Sequence, residues 1–231
     1  MGVIKTFPHI RYLLVVREVF RHRRISAAAE MVHLSQPAAT QALARIEDLM
    51  GVRLFDRRPA GMFATEAGKL FEPRVVRILE HLRRGDSLAR QKAQRRDGDT
   101  SRKAFHKLCS PVQLRALAAV ARTGSFSQAA NELGVSQPGV HRAARDLASL
   151  SGITLFDQTR GGITLTPAAD AFVHQVRLAV SEFQQAVYEI NEYLGRDVTR
   201  INLGSMPLSR TTILPAAIDA LLREVGSSVQ V

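Results

Sequence analysis

The stretch Ser127-Gln128-Ala129-Ala130-Asn131-Glu132-Leu133-Gly134-Val135-Ser136-Gln137-Pro138 decides how this chain folds. Gly134 marks the end of a short helix, since glycine takes the left-handed backbone of a helix terminus without a Cβ clash. Ser136 can cap the next helix through its hydroxyl, and Pro138 falls in that helix's first turn, where a missing N–H has no partner to lose. Ser127 is expected to cap the short helix itself, residues 128–133. Beyond Pro138, Val140, Ala144 and Leu147 share one face at i, i+4 and i+7 and are expected in the core. Upstream, Leu114, Leu117, Ala118 and Ala121 make another helical apolar face that stops at Thr123-Gly124. The result is three helices, the last two joined by a tight turn.

Further along, Ile153-Thr154-Leu155-Phe156 alternates as a strand does, Arg160-Gly161-Gly162 supplies a turn, and Ile163-Thr164-Leu165 returns as a second strand. Thr166-Pro167 then opens a long helix. The same plan occurs earlier, because Leu13 to Phe71 aligns with Leu114 to Phe172 at a constant offset of 101, without a gap and with 19 identities. The identities include Ser26/Ser127, Ser35-Gln36-Pro37/Ser136-Gln137-Pro138, Leu54-Phe55-Asp56/Leu155-Phe156-Asp157 and Thr65/Thr166. In the first copy the core face is Ala39, Leu43, Ile46 and Met50. His33 stands there in the place of Gly134, at an expected cost of about 1 kcal/mol.

The two trailing helices read differently. Phe172, Val176, Ala179, Phe183, Ala186, Ile190 and Tyr193 are spaced alternately four and three apart, the seam of a coiled coil, in a helix expected to end near Gly195. Such a seam serves either self-association or packing against the other repeat, and a homodimer is the expected use. The first copy's helix holds Phe71, Val75, Ile78 and Leu82, then meets Arg83-Arg84-Gly85-Asp86. Its seam is therefore expected to be short, with the tail fraying into a polar linker through Lys103.

The 231 residues carry 32 Lys and Arg against 21 Asp and Glu, a net charge of +11. Such a balance points to a polyanionic partner, with nucleic acid ahead of a membrane surface or unspecific basicity. No apolar run approaches the ~20 residues of a spanning helix, so no membrane association is expected. The N-terminus has no secretory pattern and the lone Cys109 no disulfide partner, which together suggest the cytoplasm. Seven scattered histidines lack metal-ligand spacing, no glycine-rich phosphate loop is present, and no acid, base and nucleophile converge. Neither metal, cofactor nor enzymatic activity is expected.

Ser35-Gln36-Pro37, then Leu54-Phe55-Asp56-Arg57, then Thr65-Glu66-Ala67-Gly68 resemble the winged helix-turn-helix of LysR-type transcriptional regulators. Ser136-Gln137-Pro138, Leu155-Phe156-Asp157 and Leu165-Thr166-Pro167-Ala168 repeat the outline, and the long helix from Thr166 corresponds to the family's dimerising linker. Arg200 to Ser205 and Ile213 to Val225 resemble the opening strand and helix of the family's effector-binding domain, and Val229-Gln230-Val231 the start of its next strand. The resemblance thus implies a mainly α protein with tandem winged helix-turn-helix units, each with a two-stranded wing and a trailing long helix, plus a short incomplete α/β tail. The expected divisions are 1–72, 73–109, 110–165, 166–195 and 196–231. A truncated effector domain would leave out the site for the small-molecule inducer expected of a full-length relative. The chain departs from the family in its duplication, in Gln158 where the first copy has Arg57, and in Ala148 where it has Glu47.

In a helix-turn-helix the second helix of the motif enters the major groove with its N-terminal, outward side chains facing base edges. Opposite the apolar faces just given, these are Gln36, Pro37, Thr40 and Gln41 in the first copy and Gln137, Pro138, His141 and Arg142 in the second. Ser26, Ser35, Arg45, Arg53, Arg57 and Arg58, and likewise Ser127, Ser136, Arg145 and Arg160, are the expected phosphate contacts. Residues 9–71 hold ten basic and six acidic side chains, residues 72–109 eleven and five, and residues 110–172 five and four. Charge therefore favours the first copy as the reader, whereas Arg142 and the seam favour the second; the expectation is that both copies bind, so that a dimer presents four reading heads. The function implied is a double-stranded-DNA-binding transcriptional regulator, a nucleoid-associated homodimer or higher oligomer. The alternative is a dimerising interaction module in which DNA binding is secondary.

Overall fold

A computed structural model describes residues 7–93, 104–159, 162–196 and 213–225. The chain divides into two units, Met1–Gln184 and Gln185–Val231; both copies of the helix-and-wing plan lie in the first, and the long helix that follows the second copy runs across the division. Repeat one comprises α1 (Ile10–His22), α2 (Ile25–Met31), α3 (Gln36–Met50), the antiparallel pair β1 (Phe55–Arg58) and β2 (Gly61–Ala64), and α4 (Glu66–Lys92). Repeat two comprises α5 (Pro111–Thr123), α6 (Phe126–Leu133), α7 (Gln137–Ser151), the pair β3 (Phe156–Thr159) and β4 (Gly162–Leu165), and α8 (Pro167–Tyr193). Every element of repeat two begins 101 residues after its counterpart, and the wing registers correspond pair for pair. Among the described residues no helix is long and apolar enough to cross a membrane.

The local chemistry explains the boundaries. Ser35 and Ser136 cap α3 and α7, accepting from the Ala38 and Gly139 amides, and a proline sits in the first turn of each. Thr65 and Thr166 do two jobs at corresponding positions. Each hydroxyl accepts an amide of the long helix, Gly68 or Ala169, and donates to a carbonyl before the wing, Arg53 or Thr154, at 2.8 Å. Ala39, Leu43, Ile46 and Met50 are buried in repeat one, and Val140, Ala144 and Leu147 in repeat two.

Two expectations about boundaries are corrected. Ser127 lies inside α6 rather than at its cap, and its counterpart Ser26 lies inside α2. Ser125 caps α6 by accepting from the Gln128 amide, and Arg24 occupies the α2 cap position with no side-chain bond. Thr123 accompanies the earlier start: its hydroxyl accepts from the Ser125 amide at 3.3 Å and has the Ala119 and Ser125 carbonyls within reach of its one proton, at 3.0 and 2.9 Å. The wing strand β3 likewise starts at Phe156, not Ile153. Ile153 and Leu155 are buried, and the Leu155 carbonyl accepts the Thr166 amide instead of joining the ladder.

The first copy's seam is not short: its buried face continues past Arg83-Arg84 through Gly85, Asp86 and Ala89, in a helix that runs to Lys92. It does so because α8 lies along it. Arg74 and Arg77 both donate to Glu182 at 2.8 Å, His81 meets Gln175 at 2.9 Å, and Gly85 lies against Phe172 and Gln175. As the number rises on α4 it falls on α8, so the two helices are antiparallel. Gly85 marks their close approach: a Cβ there would stand 2.9 Å from a ring carbon of Phe172. Burial would raise the Glu182 carboxyl, but hydrogen bonds from Arg77 and Arg74 outweigh it and hold the group below the usual carboxylate range.

The seam positions Phe172, Val176, Ala179 and Phe183 are thus buried within one chain, and Phe183 also receives Phe7 edge-on at 5.7 Å. A second copy is not required to cover them, which removes the physical reason for expecting a homodimer through this stripe. Ala186 and Ile190 are buried as well, but Tyr193 is 53% exposed and does not belong to the buried stripe.

The chain re-enters repeat two through a single 3₁₀ turn, Phe105–Lys107, docked on α4. His106 Nδ1 lies 2.7 Å from Asp86, Arg90 donates to the same carboxylate at 2.6 Å, and the Phe105 ring packs tilted against Phe172 with centroids 4.9 Å apart. Burial alone would raise the Asp86 carboxyl, but the bonds from His106 and Arg90 hold it below the usual range. Cys109 is buried beside this cluster; desolvation, then the Asp86 charge, push its thiol up to about 12, so it remains a protonated packing group. In the second unit α8 closes at Gly195 in the left-handed conformation, and a further helix, α9 (Ile213–Val225), follows. The strand expected at residues 200–205, the start of one at 229–231, the linker residues 94–103 and Arg160-Gly161 lie outside the described residues.

Candidate nucleic-acid interface

The apolar face of α3 fixes which side of that helix meets solvent. Gln36, Pro37, Gln41 and Arg45 are exposed and Thr40 is half-buried, its hydroxyl donating to the Gln36 carbonyl at 3.0 Å. That hydroxyl retains lone pairs to accept from a base amine. In α7, Gln137, Pro138, His141, Arg142 and Arg145 are all exposed. The His141 ring leans on Phe126 with centroids 4.9 Å apart, and Arg145 Nη2 lies 3.3 Å from His141 Nδ1, so the imidazole is held along the helix surface. Ser35 and Ser136 are exposed caps, while Ser26 and Ser127 are exposed residues within their helices.

The wings are tied to the first helix of each repeat. The Met62 amide donates to the Arg23 carbonyl at 2.8 Å, and the Ile163 amide to the Gly124 carbonyl at 3.2 Å. Gly61 permits the first of these contacts: its φ is +129°, and a Cβ there would fall 2.7 Å from the Arg23 oxygen. Glu47, near the C-terminus of α3, accepts from the Leu54 and Phe55 amides at 2.8 and 3.3 Å and so joins the third helix to the wing. Ala148 cannot do this; in repeat two the Ser151 hydroxyl accepts from Ile153 instead.

Arg53, Arg57 and Arg58 are exposed on the first wing, Arg58 sharing an ion pair with Asp56 at 3.5 Å. Sequence reasoning missed Arg23, whose guanidinium lies 5.2 Å from the Phe63 ring centroid, as does that of Arg58. The signal was available, because the offset of 101 sets Arg23 against Gly124, the residue that ends the first helix of repeat two. Arg160, the phosphate contact expected of the second wing, lies outside the described residues. Among the described residues no cluster of three metal-ligating side chains occurs.

Three packed helices, a two-stranded wing docked on the first of them, and a third helix with one face open define a winged helix-turn-helix unit, present twice. The family described as "Bacterial regulatory helix-turn-helix protein, lysR family" matches residues 10–69 and again 111–170, and the chain belongs to it. The chain is 30% identical over 207 residues to the HTH-type transcriptional regulator GalR of Pseudomonas putida, covering 90% of this chain and 49% of GalR. It is 29% identical over 119 residues to PcaQ of Agrobacterium fabrum, covering 51% of this chain and 38% of PcaQ. Among solved structures, Vibrio fischeri DarR in complex with DNA superposes with a TM-score of 0.34 at 25% identity, over 47% of this chain and 37% of DarR. The chain thus spans about half the length of GalR and less of the others.

Proposed function

We propose that this protein is a sequence-specific DNA-binding transcriptional regulator that reads the major groove with the N-terminal halves of α3 and α7. The observation that carries this reading is the division of each third helix. One face is locked into the core by residues such as Leu43, Ile46, Val140 and Leu147, while Gln36, Gln41, Gln137, His141 and Arg142 stand exposed on the other. Amide side chains match the donor and acceptor pair on adenine, and a guanidinium matches O6 and N7 of guanine. Exposed Arg45, Arg53, Arg57, Arg58 and Arg145 would hold phosphates and set the register. Such a ligand is found with the chromosome, which agrees with a cytoplasmic, nucleoid-associated protein.

The GalR match supports the regulatory role, since it takes in both repeats. A homodimer through the α8 seam is less well supported than pairing of the two repeats, because the seam from Phe172 to Phe183 is buried in the single chain. Gel-shift titrations against promoter fragments test the reading. Affinity should fall steeply with added salt, and Arg142→Ala or the pair Gln36→Ala and Gln41→Ala should weaken specific binding while leaving the melting curve unchanged. Binding indifferent to salt and to both variants would refute it.

A further inference from the structure

We propose that one chain is a complete two-headed reader whose target is a pair of unlike elements in fixed order, not two copies of one element. The proposal rests on α3 and α7 being the recognition helices.

Two observations carry it. First, the heads belong to one body. The antiparallel α4 and α8 are joined by Glu182 to Arg74 and Arg77, by Gln175 to His81, and by the close approach at Gly85, with Phe7 on Phe183 and Phe105 on Phe172 adding contacts from both sides. The stripe that would recruit a second copy is occupied. Second, the heads are chemically different at the positions that face outward. At the offset of 101, Gln36 and Pro37 recur as Gln137 and Pro138, but Thr40 becomes His141, Gln41 becomes Arg142 and Ala44 becomes Arg145.

The first head therefore offers amides and a hydroxyl, which both donate and accept. The second replaces the Gln41 amide with the Arg142 guanidinium, which only donates and suits guanine, and the Thr40 hydroxyl with the His141 imidazole, with Arg145 beside it as a phosphate contact. Two identical chains about a twofold axis read inverted copies of one half-site. Two covalently linked heads with different side chains cannot, because the groups that satisfy one element leave unpaired donors on the other. The wings add to the difference: Arg53, Arg57 and Arg58 correspond to Thr154, Gln158 and Thr159.

Selection of duplexes from a randomised pool by the full chain, followed by sedimentation of the purified complex, tests this. The expected result is two dissimilar elements at constant spacing and order, with one chain per duplex. Arg142→Ala should reduce preference within one element by ~10-fold or more, and Gln36→Ala with Gln41→Ala should do so within the other only. These positions are exposed, so a matching thermal melt checks that each variant is folded. An inverted repeat occupied by two chains, a single enriched element, or both variants acting on the same element would overturn the proposal. Failure to enrich any sequence would instead overturn the DNA-reading function on which it rests.

Discussion

Arg23 and His33 adopt left-handed backbone, with φ of 54° and 56°, at the two positions where the second repeat has Gly124 and Gly134 at 65° and 64°. A side chain with a Cβ is strained there by ~1–2 kcal/mol, so the first repeat closes α1 and α2 at a cost the second avoids. His33→Gly should raise stability by about 1 kcal/mol, read as a higher urea midpoint with an unchanged slope. An unchanged or lower midpoint would mean that the exposed imidazole has a compensating contact. The strain at His33 was legible, because the turn chemistry of Gly134 is explicit in the sequence. The same comparison would have found Arg23. Glu47 illustrates what remained hidden: the sequence marks only that Ala148 departs from it, whereas folding turns Glu47 into an acceptor for two wing amides. Glu47→Ala should cost about 1–3 kcal/mol in a thermal or urea melt, because it leaves the Leu54 and Phe55 amides without that partner in a part-buried setting.

At the scale of the element, α4 is where reading along the chain fell short, because the spacing predicts a seam ending at Leu82, whereas Gly85, Asp86 and Ala89 are buried as well. Arg83-Arg84-Gly85-Asp86 has the composition of a helix end, and local propensity says that Gly85 weakens a helix by ~1 kcal/mol relative to alanine. The helix continues because tertiary partners outweigh propensity: Phe172 occupies the space over Gly85, and Asp86 holds Arg90 and His106. Phe172 and His106 lie far from Gly85 and Asp86 in the sequence, and only Arg90, one turn on, is local. The third helices and their caps were legible because those signals lie within a turn of one another. Gly85→Ala is therefore a sharp test, since propensity predicts a gain of ~1 kcal/mol and packing a loss of ~1–3 kcal/mol. Both Phe172 and Gln175 are buried and cannot swing away, so net destabilisation is expected. A stabilised variant would show that the helices separate freely at this point. Asp86 supplies a pH test on the same helix. Its carboxyl is lowered in the folded state, so its contribution is fully present above the unfolded value near ~3.9 and is lost as pH falls through the folded value. Asp86→Asn should therefore be clearly less stable than the parent at neutral pH, and the gap should narrow in acid. A gap that stayed constant down to the acid limit would mean that the carboxylate charge contributes nothing.

For the molecule as a whole, summed charge is a poor guide to where the proposed phosphate contacts lie. Residues 72–109 hold eleven basic and five acidic side chains, the largest excess of the three segments, yet four of their arginines already pair with carboxylates of the same chain. Arg74 and Arg77 bind Glu182, Arg83 binds Glu80 and Arg90 binds Asp86. The cations on the first wing are different in kind: Arg53, Arg57 and Arg58 are exposed, and only Arg58 shows a carboxylate neighbour, itself exposed. If these three grip the backbone, replacing them with glutamine should weaken binding to all sequences alike. The slope of log affinity against log salt should then become shallower by about 0.9 for each lost phosphate contact. Arg142→Ala should behave in the opposite manner, reducing affinity for the preferred sequence far more than for random DNA while leaving most of the salt slope intact. Measuring both variants on one specific and one random duplex across a salt series separates the roles. A wing variant with an unaltered slope would move the phosphate contacts elsewhere. An Arg142 variant that lost slope without losing discrimination would turn that residue from a base reader into one more backbone cation.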